Sequence, residues 1–307
     1  MILVTNKMSN QRKTQKTSNY FPKISSIIGW FTNAKNSFFV LLYLIKSHSS
    51  FISIRYQVVA FLTHSMVYPV SRIIFGRRKT INIYLRFLNA HRSIIFPLPP
   101  PLKSKIAMRH IDPELFNEIY LENIYFHEII KEGMNIVDIG ANIGAYTVLA
   151  AEKVGENGKV IAVEPEPQNY NQLLENMRLN NFKNVIPQNI ALTDHQGQEK
   201  LYLSFSPGSH SLFLPENKNS YIEISVKTVD SLLEELNLKK VDVIKIDTEG
   251  AEIPILKGAE KTLKANPNIK IIVAAEHYLS EIEEVCQFLN KRGFKTKVSY
   301  GSTVMTI

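Results

Sequence analysis

The stretch Asn135-Ile-Val-Asp-Ile-Gly-Ala-Asn-Ile-Gly-Ala-Tyr-Thr-Val-Leu149 constrains this chain more than any other. Ile136, Val137 and Ile139 are β-branched and suit a strand buried on both faces. Asp138 sits near the strand's end, and Gly140 and Gly144 follow in a turn that opens a helix. Without a Cβ, such a turn lets the backbone pass close to a ligand, toward which the unpaired N–H groups of the helix N-terminus point. The outline is that of a nucleotide-cofactor site. On its own, a Gly-x-x-x-Gly turn is equally a tight strand-to-helix connection, so the rest of the chain has to decide.

After that stretch, apolar runs of strand length alternate with segments of helical period. Strands are expected at 159–163, 184–190, 241–246 and 269–275, helices at 143–153, 168–180, 229–236, 251–264 and 279–292, short strands near 199–204 and 221–227, and two final strands around 294–299 and 303–307. The alternation predicts an α/β fold, a parallel doubly wound sheet covered on both faces. Ligands of such sheets bind past the carboxyl ends of the strands. There the sequence places Asp138, Gly140, Asn142 and Gly144, then Glu164-Pro165, then Asn189-Ile-Ala191-Leu-Thr-Asp194, then Asp247-Thr-Glu249-Gly-Ala-Glu252. Glu164 follows Gly140 by 24 positions, near the spacing of about 20 at which an acid accepts hydrogen bonds from both ribose hydroxyls. A carboxylate there repels a 2′-phosphate, which leaves adenosine cofactors with a free ribose.

Together, Val137-Asp-Ile-Gly-Ala-Asn-Ile-Gly-Ala-Tyr-Thr147, Glu164-Pro165, Asn189 to Asp194, Thr228-Val-Asp-Ser-Leu232 and Lys245-Ile-Asp-Thr-Glu-Gly-Ala-Glu252 resemble the FkbM family of S-adenosylmethionine-dependent methyltransferases, over roughly residues 115–300. The resemblance implies a Rossmann-like class I methyltransferase fold, with a seven-stranded, mostly parallel sheet whose last strand is antiparallel. It also implies S-adenosylmethionine as cofactor and methyl transfer to a hydroxyl of a sugar, a lipid-linked glycan or a small metabolite. Carried over by position, Asp138, Gly140, Asn142 and Gly144 are expected to bind the cofactor, with Gly140, Asn142 and Gly144 shaping the loop around its amino-acid half and Tyr146 lining that pocket. Glu164 holds the ribose, Asn189 to Ala191 flank the adenine, and Asp247 sits beside the sulfonium, where a carboxylate suits a cationic donor.

Methyl transfer is an in-line displacement, so alignment supplies most of the rate and a base is needed only for the hydroxyl proton. Asp247, Glu249 and the Glu276-His277 pair face the same crevice, and His277, which titrates near neutrality, is the first choice; a surface-loop histidine is the competing reading. Asp247, Glu249 and Glu276 could instead hold Mg²⁺. Carboxylates at neighbouring strand ends also occur without metal, and no metal site is assigned. The polar loop Ser206-Pro-Gly-Ser-His210-Ser211 is placed for acceptor contact.

Upstream, the composition changes. Of 36 Lys and Arg, 17 fall in residues 1–110, which hold no Asp or Glu; residues 111–307 carry 19 against 28 acids, a net of −9. We expect a disordered basic lead-in over 1–22, a basic amphipathic helical extension over 23–110 and the methyltransferase domain over 111–307, with Pro97-Leu-Pro-Pro-Pro101 as a stiff linker before it. The apolar run Phe38 to Ile45 comes too late for a secretory signal and is too short to span a bilayer. Asp112-Pro113 starts a helix with an apolar stripe at Phe116, Ile119, Tyr120 and Ile124. The basic extension suits an anionic membrane surface or packing on the acidic domain, so the expected location is cytoplasmic with peripheral membrane contact. The single Cys286 fits a reducing compartment and a buried helix position.

Two other functions fit parts of this pattern. A nucleic-acid methyltransferase would use the basic segment as a phosphate-binding arm. Against it, the fourth strand ends in Asp-Thr-Glu-Gly rather than the Asn/Asp-Pro-Pro-aromatic turn of enzymes that methylate base amino groups, and Cys286 lies away from the strand ends. A membrane-associated binding module would keep the pocket without turnover.

Overall fold

The computed structural model describes residues 2–6, 93–109, 113–204, 210–213, 219–275, 277–278, 280–300 and 303–306. It divides into two compact units, residues 8–123 and residues 1–7 with 124–307. The longer segment of the second unit begins at Ile124; the methyltransferase domain was expected over 111–307. The amphipathic helices expected over 23–92, and residues 7–22 of the lead-in, lie outside the described residues. Among the described residues no helix is long and apolar enough to cross a membrane.

In the first unit, Ile94–Pro97 (β2) pairs antiparallel with Lys105–Met108 (β3). The proline run is thus a strand end and hairpin turn, not a free linker: Leu98 N–H donates to Ser104 O at 3.0 Å. Pro97 is tolerated because a two-stranded sheet is all edge. The helix expected after Asp112 is short, Pro113–Phe116 (α1), and passes into a π-turn over Asn117–Leu121. Phe116 is fully buried, with its ring 5.7 Å from Phe96 and 5.0 Å from Tyr120.

The second unit holds an eight-stranded sheet. Its strands are Ile2–Asn6 (β1), Asn135–Ile139 (β4), Lys159–Val163 (β5), Val185–Gln188 (β6), Val243–Ile246 (β10), Lys270–Ala274 (β11), Thr296–Tyr300 (β12) and Thr303–Thr306 (β13). The order is β13-β12-β1-β11-β10-β4-β5-β6, parallel except for the β12-β13 hairpin. Two expectations are corrected here. Among the described residues the sheet has eight strands rather than seven, and Ile2–Asn6, expected in a disordered lead-in, belongs to it. A short apolar run gains a full set of backbone partners once β11 and β12 flank it, a gain that local sequence does not signal.

Helices Ala145–Val154 (α2), Pro167–Leu179 (α3), Val229–Glu235 (α4), Glu252–Lys257 (α5), Glu260–Ala265 (α6) and Glu281–Asn290 (α7) connect the strands. Val137, Ile139, Ile244, Ile246, Ile271 and Val273 form one buried core with Leu232, Leu256, Leu263, Val285 and Leu289. Because strand side chains alternate, Asp138 and Lys245 point to the opposite face. The single helix expected over 251–264 is two, broken at Gly258. A Cβ on Gly258 would lie 2.1 Å from Thr193 O, and Asp230 caps the second helix through the N–H groups of Lys261 and Thr262 at 2.9 and 2.8 Å. The strands at Ala191–Leu192 (β7), Gly197–Tyr202 (β8) and Tyr221–Lys227 (β9) form a separate small sheet. Cys286 is buried on α7, as expected.

Candidate active site

The turn after β4 is held by close backbone packing. Gly140 has φ +75° and lies against the end of β10, where a Cβ would come 1.9 Å from Asp247 O. Gly144 caps α2 at φ +84°, and Asn142 is left-handed at φ 52°. Asn142 accepts this conformation because its side-chain Oδ1 takes the N–H of Ile143 at 2.8 Å.

Glu164 closes β5 beside this turn. Its carboxylate accepts from Asn142 N at 2.8 Å and from Glu166 N at 2.9 Å. It is 5% exposed. Burial raises its pKa to about 7, against the opposing pull of those two N–H groups. A side-chain hydrogen bond from Asn169 adds to these two, and a carboxylate has lone pairs for more than three donors. Glu166 caps α3 through Asn169 N at 2.7 Å, which fixes the loop from the far side. Asn189 donates from its amide to Glu164 O and Pro165 O at 2.8 and 3.0 Å, so it steadies the Glu164 peptide. Ala191 is buried at the start of β7.

Asp138 and Tyr146 depart from the expected placement. Asp138 is fully buried, accepts from Thr147 Oγ1 at 2.6 Å and pairs with Lys245 Nζ at 3.2 Å. Its side chain is taken up by α2 and β10. Tyr146 is 2% exposed and packs edge-on against Tyr125 at 5.7 Å. Its hydroxyl has no partner among the described residues, and burial pushes its pKa up.

Sequence reasoning gave Lys245 and Tyr125 no role. Lys245 is 3% exposed; its Nζ donates to Gly140 O at 2.9 Å and lies 3.9 Å from Asp247 Oδ2 and 5.2 Å from the Tyr125 ring. One buried cation thus ties the β4 acid, the glycine turn and the β10 acid together. The Tyr125 hydroxyl donates to Asp247 Oδ2. Lys245 was detectable in principle, since it is opposite Asp138 in adjacent parallel strands.

At the end of β10, Asp247 and Glu249 stay partly exposed, with side chains 25% and 33% accessible. Glu249 is left-handed at φ 56°, and its main-chain O accepts from Ser211 Oγ at 2.6 Å. Of the expected acceptor loop, residues 206–209 lie outside the described residues, as does Glu276. Asp247, Glu249 and His277 converge, with one ligand atom from each within 4.8 Å of the others.

His277 is not the neutral base that the sequence suggested. Its Nε2 is 3.5 Å from Glu249 Oε2, and its Nδ1 is 3.6 Å from Glu252 Oε1 and 3.1 Å from Glu281 Oε2. Burial alone would lower its pKa, but the Glu281 hydrogen bond and the charges of Glu252 and Glu249 outweigh that and hold it up at about 10. At neutral pH it is an imidazolium, able to donate but not to accept.

A family model described as the methyltransferase FkbM domain matches residues 138–296. The chain belongs to that family. The donor bound by FkbM domains is S-adenosylmethionine, and the acceptor carboxylates at Glu164 and Asp247 fit a ribose and a sulfonium. Methyltransferase 1 of Beauveria bassiana is 26% identical over 170 residues, covering 48% of this chain and 66% of the relative. Hexuronic acid methyltransferase AglP of Haloferax volcanii is 26% identical over 164 residues, covering 53% and 64%. The chain spans about two thirds of the length of these curated relatives. A solved SAM-dependent methyltransferase from Aquifex aeolicus is 20% identical, covering 60% of this chain and 86% of that one at a TM-score of 0.35. The FkbM match covers the turn after β4, Glu164, Asp247, Glu249 and His277, and leaves residues 1–137 outside it.

Proposed function

We propose that this FkbM domain transfers the methyl group of S-adenosylmethionine to a hydroxyl of a sugar, a glycan or a small metabolite. The observation that carries the reading is the pair of partly exposed carboxylates, Asp247 and Glu249, at the strand end beside the glycine turn. Bound S-adenosylmethionine supplies an electrophilic methyl on a sulfonium. Glu164 accepts the ribose hydroxyls, the turn from Gly140 to Gly144 wraps the amino-acid half, and Asn189 to Ala191 border the adenine. Asp247, fixed by Tyr125 and Lys245, offers its charge to the sulfonium side.

The base role passes from His277 to Glu249. His277 Nε2, 3.5 Å away, orients the Glu249 carboxylate, which takes the proton of the acceptor hydroxyl. A glycan acceptor is favoured by the relative named a hexuronic acid methyltransferase. The basic extension would then bring the domain to an anionic membrane or a lipid-linked acceptor.

The test is transfer of labelled methyl into a cell extract, followed by separation of lipid, glycan, protein and nucleic acid. The reading expects label in the glycan, lipid-linked glycan or small-metabolite fraction, and Glu249→Gln reduces it by about 10²–10⁴ while leaving donor binding intact. Label in nucleic acid or protein, or full activity in that variant, overturns it.

A further inference from the structure

Behind Glu249 lies a cluster that methyl transfer leaves unexplained. Glu252 and Glu281 are both fully buried, on different helices, and face the same nitrogen of His277. One oxygen from each carboxylate and an imidazole nitrogen all fall within 4.8 Å of one another. Glu252 Oε1 is spoken for by Thr248 N and Oγ1, both at 3.0 Å, and Glu281 Oε2 by His277 N at 2.7 Å. The other two oxygens, Glu252 Oε2 and Glu281 Oε1, are buried and find no donor on any other described residue; the two acids hydrogen-bond each other, and burial together with Glu281 holds Glu252 well above the usual carboxylate range. Among those residues His277 is the one cation paired with either acid. A proton caught between two buried acids balances their charge beside one imidazolium, and it holds a place that a cation can take.

We propose that Glu252, Glu281 and Nδ1 of His277 form a binding site for one divalent transition cation of the Mn²⁺ or Zn²⁺ kind. Two carboxylates with one imidazole suit these ions better than Mg²⁺ or Ca²⁺, which favour oxygen alone. Without the cation, a proton shared by the carboxyls and another on Nδ1 take its place. Binding forms the metal–ligand bonds and releases both protons to solvent. The remaining imidazole proton is then fixed on Nε2, which faces Glu249 at 3.5 Å. This is the carboxylate–histidine–metal arrangement by which a bound ion orients a neighbouring acid, and it makes His277 a positioning residue for Glu249. Asp247, Glu249 and His277 form a second, more exposed cluster. That one belongs to the acceptor side and has no orphaned buried oxygen, so it carries no metal proposal.

The test uses the full chain, free of any affinity tag and stripped by chelator, with Mn²⁺ followed by paramagnetic resonance and Zn²⁺ by calorimetry. No donor or acceptor is needed, so the outcome is independent of the methyltransferase reading. One saturable site per chain is expected, weakened about a hundredfold or more in Glu252→Gln and Glu281→Gln. It is unchanged in His195→Ala, which removes the exposed cluster of His195 with Asp194 and Glu199. In unaltered protein, which needs no folding control, Mn²⁺ should broaden the ring resonances of His277 before those of His195. Absence of saturable binding, full affinity in both Gln variants, loss of the site in His195→Ala, or earlier broadening of His195 would each overturn the assignment.

Discussion

Replacing Lys245 by Met tests the charge network beneath the glycine turn. Lys245 is 3% exposed and Asp138 is fully buried, 3.2 Å away. Methionine fills the space but leaves Asp138 with the single hydroxyl of Thr147 at 2.6 Å. Removing one partner of a buried pair costs about 3–5 kcal/mol, because the remaining charge is stranded in a low-dielectric interior. With a denaturant slope of about 2 kcal/mol per molar, the urea midpoint falls by about 2 M. Adding Asp138→Asn removes the stranded charge, so the double variant should recover half or more of the loss in a double-mutant cycle. A loss under about 1 kcal/mol, or a double variant no better than the single one, would refute the reasoning.

Four further outcomes are expected. Gly140→Ala places a Cβ 1.9 Å from Asp247 O at a φ of +75°, so the turn must shift; thermal unfolding should show a loss of about 3 kcal/mol or more, and donor affinity should fall with it. Asp230→Ala removes the cap that serves Lys261 and Thr262 and should cost about 0.5–2 kcal/mol in urea unfolding, with donor affinity unchanged. Burial holds Glu164 at about 7, above its ordinary 4.5, so without donor the folded chain keeps a proton that the unfolded chain has lost. Stability then declines as pH rises from about 4.5 through 7, and Glu164→Gln should flatten that slope. Flotation with anionic vesicles should carry the full chain at low salt and release it at high salt, and no flotation at low salt removes the membrane role of the basic extension.

The site was legible where chemistry and spacing coincide. The β-branched run, the two glycines and Glu164 at a set distance follow from what a strand, a tight turn and a ribose each require, and the structure puts them together. Residues whose roles depend on pairing across the sheet were harder to read. Lys245 sits in an apolar strand, where a lone basic residue looks misplaced until the parallel register sets it opposite Asp138. His277 reads as a neutral base because its local neighbour is Glu276. Its real partners come from three places in the chain: Glu249, Glu252 on α5, and Glu281 on α7. Ile2–Asn6 carries apolar residues too few to announce a strand, and only β11 and β12 give it one. The need for glycine at 258, where the two helices part, was hidden because the carbonyl it clears belongs to Thr193, remote in sequence.

Calorimetric titration of S-adenosylmethionine into the unaltered chain and into Glu164→Gln bears most directly on the account. Glu164 is the buried acceptor beside the turn, already oriented by Asn142 and Glu166. An amide in its place keeps the shape but presents one acceptor oxygen instead of two. The account predicts one donor site per chain, weakened at least about tenfold in the variant, the equivalent of about 1.4 kcal/mol. Equal affinity in both proteins, or no binding to either, would contradict it.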